Sequence, residues 1–64
     1  MTFSVVNQLG NYLDGVYFQQ IVRAYQKDKT SLTADNGVNI DITGAKQDKG
    51  HTIIKVEVDY ASIN

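Results

Sequence analysis

The sequence VNIDITGAKQDKGHTIIKVEVDY, residues 38–60, decides the fold of this protein. It contains two runs in which apolar and polar residues alternate, separated by a loop rich in Gly, Lys, Gln and Asp. Alternation with a period of two is typical of β-strands that bury one face. The stretch therefore predicts a hairpin with one apolar and one polar face, and another element must cover the apolar face.

A shorter hairpin is predicted immediately before it. Residues 31–34 have the pattern of a short strand, and residues 35–37 form a turn that ends in Gly37. A three-residue turn with glycine in the left-handed conformation is typical of a hairpin with a bulge. This turn sets Leu32 opposite Ile40, so apolar residues meet on one face.

Carrying this register through the loop at 44–50 places Ile40 opposite Ile54. The predicted sheet is a three-stranded antiparallel β-meander with strands at about 31–34, 38–43 and 52–60. In this register Val58 and Tyr60 extend beyond the first turn and leave unpaired backbone groups. Such an edge is a place where another strand can add.

One helix is predicted over residues 12–27, because apolar residues recur there at helical spacing and strand alternation fails. Its start is open. Asn11 or Asp14 suits an N-cap, whereas Asp14 followed by Gly15 suits a tight turn. Lys27 suits the negative pole at the far end. The fold class is therefore α+β, with one helix packed on the meander.

The apolar face of this helix is wider than one small sheet requires. It sweeps about 180°, whereas an amphipathic surface helix needs a stripe of little more than about 100°. The edge formed by Phe18 and Val22 therefore needs a second cover, from residues 3–6, from another copy or from a target. Residues 2–9 are either a short strand or a helical extension, and Gly10 favours a separate N-terminal element.

The length of 64 residues predicts a single small domain, residues 1–64. A domain of this size buries only about 60% of the surface of its unfolded chain. Small domains commonly compensate with disulfides, metals or self-association. The chain contains no cysteine, which excludes disulfides and thiolate metal sites. We therefore expect a homo-oligomer or association with a partner protein.

Six basic and seven acidic residues give a net charge of −1. Nucleic-acid binding usually needs a dominant positive field, so nucleic acid is a disfavoured partner. No apolar run approaches the roughly 18 residues of a membrane span, and the first residues lack the pattern of a signal peptide. These features predict a cytoplasmic protein with no membrane partner.

No pattern indicates a catalytic, cofactor-binding or metal site. His51 is the single histidine and has no sequence-adjacent partner for acid–base work. The stretch from residue 35 fails as a calcium loop, because Ile40 occupies the position of the required glycine and Lys46 that of the bidentate glutamate. The loop 44–50 lacks the Walker pattern of a phosphate loop. The sequence predicts a protein that is not an enzyme and needs no cofactor.

The remaining function is binding to another protein, as an inhibitory or regulatory module. Tyrosine and phenylalanine are enriched at protein interfaces. The predicted contact residues are Tyr17, Phe18, Val22 and Tyr25 on the helix, and Val58 and Tyr60 at the strand edge. The alternative is that N-terminal residues and the tail 61–64 close these gaps internally. By analogy at the level of size and fold, such chains are frequent among viral and plasmid accessory proteins.

A second hypothesis is a small nucleic-acid-binding protein, or one with another acidic partner. It rests on a local basic rim. The residues of this rim are Arg23, Lys27, Lys29, Lys46 and Lys49.

Overall fold

The computed structural model describes residues 2–62, which share one hydrophobic core. The elements are β1 (Thr2–Val6), β2 (Tyr12–Leu13), α1 (Val16–Gln26), β3 (Ser31–Thr33), β4 (Asn39–Asp48), β5 (His51–Val58) and a 3-10 helix (Tyr60–Ser62). The predicted α+β class with one α-helix is confirmed for this part of the chain. Residues 63 and 64, part of the tail named as an alternative cover for the gaps in the core, lie outside the described residues.

The sheet has five strands in the order β2-β1-β5-β4-β3. β1 is parallel to β5, and the other neighbours are antiparallel. The predicted meander is present as β3, β4 and β5, but it forms only part of a mixed sheet. The separate N-terminal element is a strand, in which Ser4 pairs with Ile53. Parallel pairing of such distant residues leaves no local signal in the sequence.

The helix begins later than the sequence pattern predicts. Tyr12 and Leu13 pair with β1 as a short strand, and α1 starts after Gly15, which has φ 67° and ψ −134°. No side chain caps the helix, so Asn11 and Asp14 as N-caps were wrong and a turn at Gly15 takes their place. Neither helical segment between residues 2 and 62 has the length and hydropathy of a membrane span.

The first hairpin is confirmed in turn type and register. Leu32 lies opposite Ile40, and Gly37 has φ 88°. The Ala34 N–H donates to the Val38 carbonyl at 2.8 Å, which closes the turn. Turn chemistry is local, so the sequence predicts this hairpin well.

The register of the second hairpin was wrong. β4 continues to Asp48 through residues expected to form a loop, and the turn consists of Lys49 and Gly50, with φ 51° and 82°. Positive φ at both positions gives the twist that two-residue hairpins favour. Ile40 therefore lies opposite Val58, four residues beyond the predicted Ile54.

A β-bulge between Ile42 and Gly44 makes this longer hairpin possible. One extra residue in a strand reverses the face to which every later side chain points. Without it, Lys46 and Asp48 would point to the apolar face. With it, both lie on the face away from the helix, opposite Ile53 and His51.

The predicted unpaired edge at Val58 was also wrong. Val58 is 3% exposed and pairs with Ile40 on one side. On its other side the Gln8 side chain bonds both its N–H and its carbonyl. Tyr60 leaves the sheet in the 3-10 helix. The last strand therefore has no overhang.

The helix buries Ile21 and Ala24, and Ile21 belongs to the same hydrophobic core as the buried strand residues. β1 helps to cover the wide apolar face, since α1 packs against both β1 and β3. The Phe3 ring meets the Tyr25 ring edge-on, with centroids 6.4 Å apart and planes at 70°. Edge-to-face pairs of this kind stabilise by about 0.5–1.5 kcal/mol beyond their burial.

Candidate protein interface

Asn7 organises the loop between β1 and β2 and joins it to the C-terminal segment. Its side chain is buried, with 7% exposed. Oδ1 accepts hydrogen bonds from the N–H groups of Leu9 and Asn11, both at 3.0 Å, and Nδ2 donates to the Tyr60 hydroxyl at 2.6 Å. An asparagine side chain that replaces backbone partners fixes a loop in one conformation.

Large apolar side chains are exposed around this loop. Leu9 is 69% exposed, Tyr12 71% and Tyr60 44%. Asn7 forms hydrogen bonds with the Leu9 backbone and the Tyr60 hydroxyl. It also bonds the backbone of Asn11, the residue that precedes Tyr12. We call Leu9, Tyr12 and Tyr60 the aromatic patch. It lies at the end of the sheet where β1 and β5 finish.

The helix residues predicted as contacts point toward the core. Tyr17, Phe18, Val22 and Tyr25 are half-buried and pack against the buried cluster. The Tyr17 hydroxyl also accepts a hydrogen bond from Asn36 Nδ2 at 2.7 Å. Their role in binding a partner stays a prediction, with less free surface than the helical pattern indicated.

Of the two predicted edge residues, Tyr60 is exposed and Val58 is not. Leu9 and Tyr12, which the sequence interpretation did not select, complete the patch. Leu9 had been placed in the N-terminal segment, either a strand or a helical extension, and Tyr12 at the start of the predicted helix. The signal that identifies them is their place beside Gly10 and Asn11, which suits a turn with exposed side chains.

The basic rim is divided between separate places. Arg23, Lys27 and Lys29 line one cleft of about 230 Å³, together with Asp35. Lys46 lies on the opposite face of the sheet, and Lys49 is in the β4–β5 turn. The structure therefore brings three of the five predicted cations together and leaves two apart.

His51 has a partner that sequence spacing did not reveal. Its Nε2 lies 2.7 Å from the Ser4 hydroxyl oxygen, and the donor of this hydrogen bond depends on the histidine tautomer. A hydroxyl beside an imidazole is also how nucleophilic catalysis begins. However, the contact joins the adjacent strands β1 and β5. Neither residue lines the cleft at Arg23 or the cleft between the end of α1 and β4. The evident role of the contact is to link the strands, and the absence of enzymatic activity stays a prediction.

A second cleft, of about 260 Å³, lies where the end of α1 meets β4. The residues that line it are Tyr25, Asp28, Lys29, Thr30, Ile42, Thr43, Gly44 and Ala45. Within residues 2–62 no group of three or more His, Cys, Asp or Glu side chains is arranged to hold a metal ion. The clefts and the aromatic patch are thus surfaces with shape or chemistry that suits a partner.

No family model matches this chain, and neither a curated protein nor a solved structure is similar to it.

Proposed function

We propose that this protein is a non-catalytic module that binds another protein through the aromatic patch. The observation that carries the proposal is the exposure of Leu9, Tyr12 and Tyr60 around one fixed loop. Contiguous exposed apolar patches are typical of interaction sites, and the proposal takes these three side chains as one such patch. Tyrosine is also one of the residues that contribute most to binding at interfaces.

The rigidity of the patch supports the proposal. Ordering loops and side chains on binding costs about 0.5–1.5 kcal/mol for each immobilised side chain. Here the hydrogen bonds of Asn7 hold the Leu9 backbone and the Tyr60 ring before any partner arrives. A partner therefore meets a Leu9 backbone and a Tyr60 ring that are already in position.

The test begins with identification of the partner in the native host. A photoreactive phenylalanine analogue replaces Tyr12 in one variant and Gln19, exposed on α1, in a control variant. The proposal expects one protein to be crosslinked from position 12 and not from position 19. Its affinity for the purified chain is then measured by calorimetry.

Leu9→Ser and Tyr12→Ser are expected to weaken this binding at least tenfold each, because both remove apolar contact area. Both side chains are exposed, so the free energy of unfolding should change by less than about 0.5 kcal/mol. Gln19→Ser is the matched control and should leave the affinity unchanged. A partner whose affinity is unchanged by both patch variants would contradict the proposal.

A second candidate function is contact with an acidic partner, nucleic acid included. It is favoured by the meeting of Arg23, Lys27 and Lys29 at one cleft. Lys27→Glu with Lys29→Glu should then abolish a binding that weakens steeply with salt, whereas Lys46→Glu should have a smaller effect. Binding that is absent at low salt would exclude this function.

A further inference from the structure

The second half of β4 is paired on one side only. β3 pairs with β4 at residues 39–41, and one further bond on that side joins the Ile42 N–H to the Thr30 carbonyl at 2.8 Å. Residues 45–48 are exposed and have no strand partner on this side in the described part of the chain. The sheet thus ends here in an open edge, which we call the β4 edge.

The turn determines which backbone groups of the β4 edge point outward. In a two-residue hairpin the flanking residues, here Asp48 and His51, exchange both backbone hydrogen bonds, and the pattern then alternates along the strand. Lys46 accordingly bonds to β5. Ala45 and Gln47 direct their N–H and carbonyl groups away from the sheet, where another strand can pair with them.

We propose that the occupant of the β4 edge is a second copy of this chain. The two β4 strands run antiparallel about a two-fold axis at Gln47, as an isologous interface requires. The β4 edge lies at the end of the sheet where β5 begins, and the aromatic patch lies where β5 finishes. Self-association therefore goes beyond the proposed function and uses a different surface.

Three antiparallel registers set the outward-directed residues of the two copies opposite each other, with the two-fold axis at Ala45, Lys46 or Gln47. Charge and the bulge together favour the axis at Gln47. An axis at Lys46 places two ammonium groups directly opposite, which is destabilising. An axis at Ala45 places the bulge at Thr43 opposite Gln47, where regular pairing is broken. An axis at Gln47 sets Lys46 of each copy opposite Asp48 of the other. The edge is then complementary to itself at two symmetric positions.

The same register brings the turn at Lys49 of one copy to a cleft on the other that is lined by both Asp28 and Lys29. Lys49 of one copy lies opposite Ala45 of the second copy, and Ala45 lines the same cleft as Asp28. Tyr25 and Ile42 supply an apolar wall in this cleft, which suits the aliphatic stem of a lysine. The symmetric Lys46–Asp48 pairs therefore favour a second copy as the occupant, and the apolar wall of the cleft adds contact for the Lys49 stem.

The test is a charge exchange followed by sedimentation velocity over a concentration series up to about 1 mM, since a short strand pairing gives a weak dimer. Lys46→Glu and Asp48→Lys each place like charges opposite and should weaken dimerisation about tenfold or more. The double variant Lys46→Glu with Asp48→Lys restores opposite charges and should dimerise like the parent. An equimolar mixture of the two single variants should do the same.

Two outcomes would overturn the proposal. One is a parent protein that remains monomeric throughout the series. The other is a mixture of the single variants that dimerises no better than either variant alone. Tyr12→Ser should leave dimerisation unchanged. The proposal that the aromatic patch binds a partner can therefore fail without affecting the proposal that the β4 edge forms a dimer.

A second measurement does not depend on charge. The chain has no cysteine, so Gln47→Cys introduces a single thiol. Opposite residues at the axis of an antiparallel pair have Cα atoms about 5.5 Å apart, a separation that a disulfide spans. Mild oxidation should link two copies through position 47 and not through the control Gln19→Cys. Equal crosslinking by both variants would overturn the proposal.

Discussion

The side chain of Gln8 pairs with the backbone of Val58 as a neighbouring strand residue would. Gln8 Oε1 accepts the Val58 N–H at 2.9 Å, and Nε2 donates to the Val58 carbonyl at 2.8 Å. β1 ends at Val6, so without Gln8 the end of β5 would lack a partner on this side. A polar side chain thus completes the sheet beyond the last residue of the strand.

Gln8→Ala should lower the free energy of unfolding by about 1–3 kcal/mol, because it leaves two backbone groups of a buried residue without partners. Urea denaturation measures this loss, with the exposed Gln19→Ala as the matched control. Amide hydrogen exchange at Val58 gives the specific readout. Unchanged protection of the Val58 amide would show that the side chain does not form these bonds in solution.

Lys49→Asn should stabilise the protein by a few tenths to about 1 kcal/mol, since asparagine tolerates positive φ better than lysine and Asn-Gly is the favoured two-residue turn. Gly50→Ala should destabilise it by about 1 kcal/mol or more, because Gly50 has φ 82°. Thermal and urea unfolding measure both changes. If residues 44–50 were instead a loose loop, Lys49→Asn would have no effect, and the observed register would be wrong.

Ile53 and Ile54 are adjacent and lie on opposite faces of β5. Ile54 is fully buried, so Ile54→Ala should cost about 2–5 kcal/mol. For a domain whose total stability is about 3–10 kcal/mol, this is enough to populate the unfolded state. Ile53→Ala, on the half-buried outer face, should cost about 1 kcal/mol or less. If urea denaturation showed that both variants lose the same free energy of unfolding, the outer face of the sheet would also have to be covered.

Asp28 follows α1 with φ 59°, a left-handed conformation at the position where helices favour glycine. Its N–H donates to the Tyr25 carbonyl at 3.0 Å, and the Lys29 N–H donates to the Ala24 carbonyl at 3.0 Å. Asp28→Gly should raise the free energy of unfolding by about 0.5–1 kcal/mol, because it relieves the backbone and removes an anion from the negative pole.

Asp28→Asn is the control for Asp28, since it removes the charge and keeps a residue that tolerates this conformation. Asp28→Asn should give only part of the increase in the free energy of unfolding that Asp28→Gly gives. If Asp28→Gly destabilised the protein, the carboxylate would have a structural role that outweighs backbone strain.

The accuracy of the sequence predictions followed the range of the interactions involved. The turn at Gly37 and the pairing of Leu32 with Ile40 depend on neighbouring residues, and both were predicted correctly. The second hairpin depends on a bulge within a stretch of weak strand propensity, residues 44–48, and its register was missed. The aromatic patch was found only through Tyr60, because its geometry depends on Asn7 bonding residues from both ends of the chain.

By itself, the sequence determined the α+β class, the alternating faces of the first part of β4 and of β5, and the first turn. These features follow from side-chain periodicity and turn chemistry. The tertiary structure alone decided that β1 lies parallel to β5 and that Gln8 bonds the backbone of Val58. It also decided that residues 45–48 have no strand partner on the β3 side among residues 2–62. Each of these depends on which distant backbone groups find partners. The two alternating runs within residues 38–60 specify strands, but pairing across the whole sheet specifies their register.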